Sequence, residues 1–132
     1  MKVQTYDYNS VYLLAAPFVQ VGVSGDSIDA EPILVNAQID TGADASMMPV
    51  AVLESTGALF ESTRYARDFS GKTHLVDLYS VTVSLAGQTF YLQVIAQENT
   101  DEGIIGRDIL NNLVVTLNGP ANTTEIALDN SS

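Results

Sequence analysis

Apolar and polar positions alternate along most of the chain. Residues 11–23 are rich in valine, tyrosine and phenylalanine, and Val19, Val21 and Val23 alternate with Gln20 and Gly22, so this stretch predicts a strand. Residues 24–32 (SGDSIDAEP) read as a turn or loop. Residues 33–39 form a second strand, whose period-two alternation runs directly into Asp40. Pro49 at a first turn and Gly57 beyond the end predict a short helix over residues 50–55. Val81, Val83 and Leu85 alternate with Thr82 and Ser84, which predicts strands over 78–85 and 89–96 joined through Ala86-Gly87-Gln88 as a hairpin. Ahead of it, residues 68–73 (DFSGKT) form a second glycine-containing turn, flanked by Arg64-Tyr65 and Leu75-Val76. A polar loop over 99–103 leads to the apolar pair Ile104-Ile105. Residues 107–113 have helical spacing, with Ile109, Leu110 and Leu113 on one face. Residues 114–117 and 125–128 are the last strand candidates, and the final few residues are expected to fray. The pattern predicts an all-β fold with two short helices and shows no repeat, linker or low-complexity segment.

Composition narrows the chemistry. A chain of 132 residues, 46% hydrophobic and 16% charged, predicts one globular domain over 1–132. Sixteen acidic groups against 5 Lys and Arg give a net charge of −11, too few cations for a nucleic-acid stripe or for adsorption to an anionic membrane. With no cysteine, a disulfide scaffold, a thiolate zinc site and a thiol nucleophile are all excluded. The single His74 leaves no multi-histidine metal site and little basis for a histidine triad. No apolar run reaches the roughly 20 residues that span a bilayer. The nearest, residues 11–19, is interrupted by Pro17, and Asp7 and Asn9 argue against a signal peptide there. The Asn-x-Ser/Thr patterns at Asn122 and Asn130 read as chance in a chain rich in Asn and Thr. A soluble, cytoplasmic protein is expected.

Carboxylates are then the remaining reactive groups, and Asp40 is the one set apart. It ends an apolar strand and precedes Thr41-Gly42-Ala43-Asp44-Ala45-Ser46, a run of small residues. An Asp before Thr-Gly is either a turn former or a reactive carboxylate held by a strand, with Gly42 admitting the close approach of a ligand backbone. A second segment, Ile104-Ile105-Gly106-Arg107-Asp108-Ile109-Leu110, reads alone as a buried strand ending in a turn.

In order and spacing, Asp40-Thr41-Gly42-Ala43-Asp44, a glycine-containing hairpin and then the 104–110 segment resemble the retropepsin-like (retroviral-type) aspartic proteases, over roughly residues 18–117. The resemblance implies a closed β-barrel or sandwich with a flap hairpin, and an aspartic endopeptidase that needs neither cofactor nor metal. It implies Asp40 as the catalytic residue, supported by Thr41, Gly42, Asp44 and Arg107, with Thr41 bonding across a two-fold axis and Arg107 bridging to Asp44. Gly42, Ala43, Asp44 and Ala45 would contact substrate backbone. Phe69, Ser70 and Gly71 would form the flap tip. Met47 and Ile104 read equally as pocket walls or as core. Viral flap tips carry more glycine, so a single Gly71 implies a stiffer flap or a different closing contact.

That chemistry needs two carboxylates about 3 Å apart sharing one proton. The chain holds one Asp-Thr-Gly; Asp26, Asp101 and Asp129 are followed by Ser, Glu and Asn. The resemblance therefore implies a homodimer with one active site on its axis, acting on peptide or protein substrates, best at mildly acidic pH. The acidic surface would favour basic substrates through steering. In viral members the termini interleave in a shared sheet, a role open here to residues 11–14 and 125–128. Two rival readings stay open: a non-catalytic dimeric peptide-binding or scaffold domain of the same fold, and an unrelated β-barrel binding protein.

Overall fold

The structure, a computed structural model, describes residues 2–25 and 31–128. Part of the expected 24–32 loop and the expected frayed end lie outside the described residues. Strand β2 (Phe18–Ser24) pairs antiparallel with β3 (Ile33–Ile39), which pairs in parallel with β8 (Gly103–Ile105). Next come β4 (Met47–Pro49), β7 (Gln88–Gln97) and β6 (Thr73–Leu85). Strand β6 then returns to β2, with Ser84, Val83 and Thr82 opposite Gly22, Val23 and Ser24. That last pairing closes a barrel of six strands, leaving β5 (Leu59–Arg67) outside it on β6.

The alternation read from the sequence is what fills the barrel. Val19, Val21, Val23, Val35, Ala37, Ile39, Val81, Val83, Leu85, Val94 and Ile105 form one buried cluster. Burying each such branched side chain contributes roughly 1.5–3 kcal/mol. Helix α1 (Val50–Thr56) adds Leu53 to the cluster and ends at Gly57, whose φ of 68° is the left-handed conformation that glycine adopts at little cost. The β6–β7 hairpin turns through Ala86 and Gly87, both at positive φ (51° and 78°), which matches the twist of the strands. Helix α2 (Arg107–Leu110) follows β8 directly.

A second sheet joins the two ends of the chain. Strand β1 (Val3–Asp7) lies against β10 (Thr123–Ala127), and β10 against β9 (Val115–Asn118). The terminal strands thus pair within one chain.

Two expectations are corrected. Residues 11–14 are not a strand: Asn9 and Ala16 form an isolated bridge that closes a loop, and Leu14 takes a φ of 59°. Val11 and Leu13, 89% and 99% exposed, have no facing strand to cover them. The sheet role expected there falls to β1, which alternation missed because its residues are almost all exposed. The helix expected over 107–113 stops at Leu110, where Asn111 and Asn112 continue as turns. Among the described residues no helix is long and apolar enough to cross a membrane.

Candidate active site

Asp40 sits where β3 leaves the barrel. Its backbone N–H donates to the Ile105 carbonyl at 3.0 Å, so the strand pairing that buries Ile39 and Ile105 also fixes the start of the loop. The chain then turns sharply: the Ala43 N–H reaches the Asp40 carbonyl at 3.2 Å and the Gly42 N–H donates to Asp40 Oδ1 at 2.9 Å. A Cβ at Gly42 would stand 3.2 Å from that same oxygen, a tight contact that glycine avoids. Thr41, Gly42 and Asp44 are exposed, Asp40, Ala43 and Ala45 half-buried.

The underside of the loop is locked to the segment 60 residues further on. Ser46 is fully buried; its Oγ donates to Asp108 Oδ1 at 2.6 Å and accepts the Gly106 N–H at 3.0 Å, while its own N–H donates to Asp108 Oδ2 at 2.9 Å. Gly106 packs against the loop backbone so closely that a Cβ would lie 2.8 Å from the Ala43 carbonyl oxygen and 2.9 Å from Ala45. The Arg107 N–H donates to the Ala43 carbonyl at 2.8 Å.

Arg107 does not bridge to Asp44. Its Nη1 donates to the Thr41 carbonyl at 2.8 Å, and among the described residues His74–Asp68 is the only ion pair. The reason is geometric: the Arg107 backbone docks on Ala43, which sends the guanidinium to the Thr41 carbonyl while the Asp44 side chain stays at the surface. The carboxylate that ties the loop to α2 is that of Asp108. Met47 and Ile104 are opposite each other across β4 and β8, half-buried beside the loop. Thus Asp40, Thr41, Gly42, Ala43, Asp44, Ala45, Met47, Ile104 and Arg107 converge on one region.

Phe69, Ser70 and Gly71 belong to a separate feature, the tip of the β5–β6 hairpin. Asp68 organises it. Its Oδ1 accepts the Ser70 N–H (3.0 Å), the Ser70 hydroxyl (2.6 Å) and the Lys72 N–H (3.0 Å), and its Oδ2 meets His74 Nε2 at 2.9 Å. Those partners, the Ser70 hydroxyl first and His74 next, lower the Asp68 carboxyl from 3.8 to about 2. Gly71 supplies the positive φ of 87° that the turn needs, and Phe69 is left fully exposed.

Sequence reading missed Ser46, Asp108 and Asp68. The Asp68-Phe69-Ser70 step carries the signal of an Asx turn and was legible. Ser46 and Asp108 carry no local signal, since each is explained only by the other.

A cavity of about 170 Å³ opens beside the loop, lined in part by Gln38, Glu102 and Ile104. A larger one, about 630 Å³, lies at the other end of β3 around Leu34 and the Gly87 turn, away from Asp40.

No family profile and no curated protein sequence matches the chain. Solved structures do. A retropepsin-like aspartic protease from Rickettsia conorii matches with a TM-score of 0.61 at 12% identity, over 95% of this chain and 91% of that one. The simian foamy virus (mac) protease matches with a TM-score of 0.52 at 19% identity, over 71% of this chain and 91% of the viral one. EIAV protease, solved with the inhibitor HBY-793, matches with a TM-score of 0.51 at 22% identity, over 76% and 89%. The chain has a retropepsin-like fold.

Proposed function

We propose that the chain is an aspartic endopeptidase completed by a second copy of itself, with one Asp40 from each subunit forming the catalytic pair. The observation that carries this reading is the Asp40 loop: a single Asp-Thr-Gly turn with Asp40 half-buried and Thr41 and Gly42 exposed, fixed on the barrel by Ile105 and locked from beneath by Ser46, Gly106 and Asp108. One such turn supplies one carboxylate, and this hydrolysis needs two.

In the dimer the two carboxylates share one proton, because like charges that close cannot both ionise. The ionised Asp40 takes a proton from a water, and the water oxygen bonds to the scissile carbonyl carbon. The protonated Asp40 donates to the carbonyl oxygen as negative charge develops there. The tetrahedral intermediate collapses as the C–N bond breaks and a proton passes to the leaving nitrogen. The products are a carboxylic acid and an amine, and the shared proton is restored. Arg107, through the Thr41 carbonyl, acts as a positioning residue for the loop. The β5–β6 tip serves as the lid that excludes water.

Because the mechanism needs one proton shared by the two carboxylates, activity is expected to be highest at mildly acidic pH. The test is cleavage of a mixed peptide library, read by mass spectrometry, for wild type and Asp40→Asn. Cleavage by wild type alone, with both proteins equally folded, supports the reading. A folded dimer that cuts nothing at any pH replaces it with the non-catalytic peptide-binding domain.

A further inference from the structure

We propose that the 170 Å³ cavity beside Asp40 receives a basic side chain of the substrate, Lys or Arg, next to the scissile bond, with the Glu102 carboxylate as its partner. The inference rests on the endopeptidase reading and adds the class of substrate. Gln38 and Ile104 face each other across β3 and β8, on the outward side of strands whose inward residues are Ile39 and Ile105. Asp40 continues that outward side two residues beyond Gln38, about 7 Å along the strand. The cavity therefore opens on the same face as the reacting carboxylate and within one side chain's reach of a peptide lying over it.

Its chemistry is polar on one wall. Glu102, half-buried, is held from behind: the Tyr12 hydroxyl donates to Oε1 and Asn9 Nδ2 donates to Oε2 at 3.4 Å, while the Tyr12 ring stacks on Phe18 at 5.5 Å. Two donors leave a carboxylate with acceptor sites to spare, since it offers about four. Gln97 on the same wall has a buried Oε1 with no hydrogen-bond partner. Among the described residues no cationic side chain lines the cavity. An apolar occupant would strip water from Glu102 and return nothing to it. A cationic side chain would lay its methylenes on Ile104 and Phe18 and bring its charge to Glu102.

The test compares peptides identical except for one residue beside the cleaved bond, Lys against its uncharged isostere norleucine. Wild type is expected to favour Lys in kcat/KM. Glu102→Gln is expected to lower the ratio of Lys to norleucine kcat/KM by about ten- to a hundredfold. Thr100→Lys, which brings a cation to the same wall, is expected to reverse the preference and guards against misfolding of the first variant. Equal cleavage of both peptides by wild type, or a Lys preference that survives in both folded variants, overturns the inference and leaves the endopeptidase standing. Failure of wild type to cut any library peptide removes the endopeptidase reading, and this inference with it.

Discussion

Two turns in this molecule open on an aspartate and contain a glycine within three residues, and they are held in opposite ways. The Asp68 turn is self-contained: one carboxylate collects Ser70, Lys72 and His74, all within six residues, at the exposed tip of a hairpin. The Asp40 turn keeps two short-range bonds, from Gly42 and Ala43, and draws the rest of its support from Ile105, Gly106, Arg107 and Asp108, 60 or more residues away. A locally closed turn can move as a unit without disturbing the barrel. A turn held by distant backbone and a buried serine cannot, and rigidity of that kind suits the proposed pairing of two Asp40 carboxylates.

The contrast can be broken at several points. Asp40→Asn removes the reacting group and nothing else: a loss of at least about a hundredfold and up to about 10⁴ in kcat is expected, with an unchanged melting curve. Gly106→Ala forces a Cβ into the backbone of Ala43 and Ala45 and should lower stability by about 1–3 kcal/mol, measured by denaturant unfolding. Ser46→Ala leaves Asp108 and the Gly106 N–H short of a partner in a buried place. It should cost about 1–3 kcal/mol and lower activity along with stability. By comparison Asp68→Ala at the exposed tip should leave the global unfolding transition almost unmoved, with faster amide exchange confined to Ser70 and Lys72.

The Asp68 turn also responds to pH. Because the Asp68 carboxyl is lowered from 3.8 to about 2 in the folded chain, its stabilising contacts are complete above pH 4 and are lost as pH falls toward 2. Amide shifts of Ser70 and Lys72 should titrate in that window.

How much was legible follows the same division. Elements built on local alternation, β3 running into Asp40, the β6–β7 hairpin and α1 with its Gly57 end, stand where the pattern placed them. The loop at Asp40 was recognisable because its small residues are consecutive. What failed depended on distant partners. Residues 11–14 look like a strand but find no neighbour, whereas β1 has too few apolar residues to show alternation and is recognisable only beside β10. The choice of Asp108 over Asp44 as the anchoring carboxylate is set by α2 starting immediately after Gly106, which no spacing rule conveys.

The central claim, that two chains build one reactive centre, is tested most directly by subunit mixing. Wild type at fixed concentration is equilibrated with increasing folded Asp40→Asn, and peptide cleavage is followed together with sedimentation. The account predicts that a dimer is present and that activity falls as mixed dimers replace wild-type ones, each mixed dimer carrying one competent carboxylate. Activity that stays constant as the inactive partner is added would show that one chain suffices, and would contradict it.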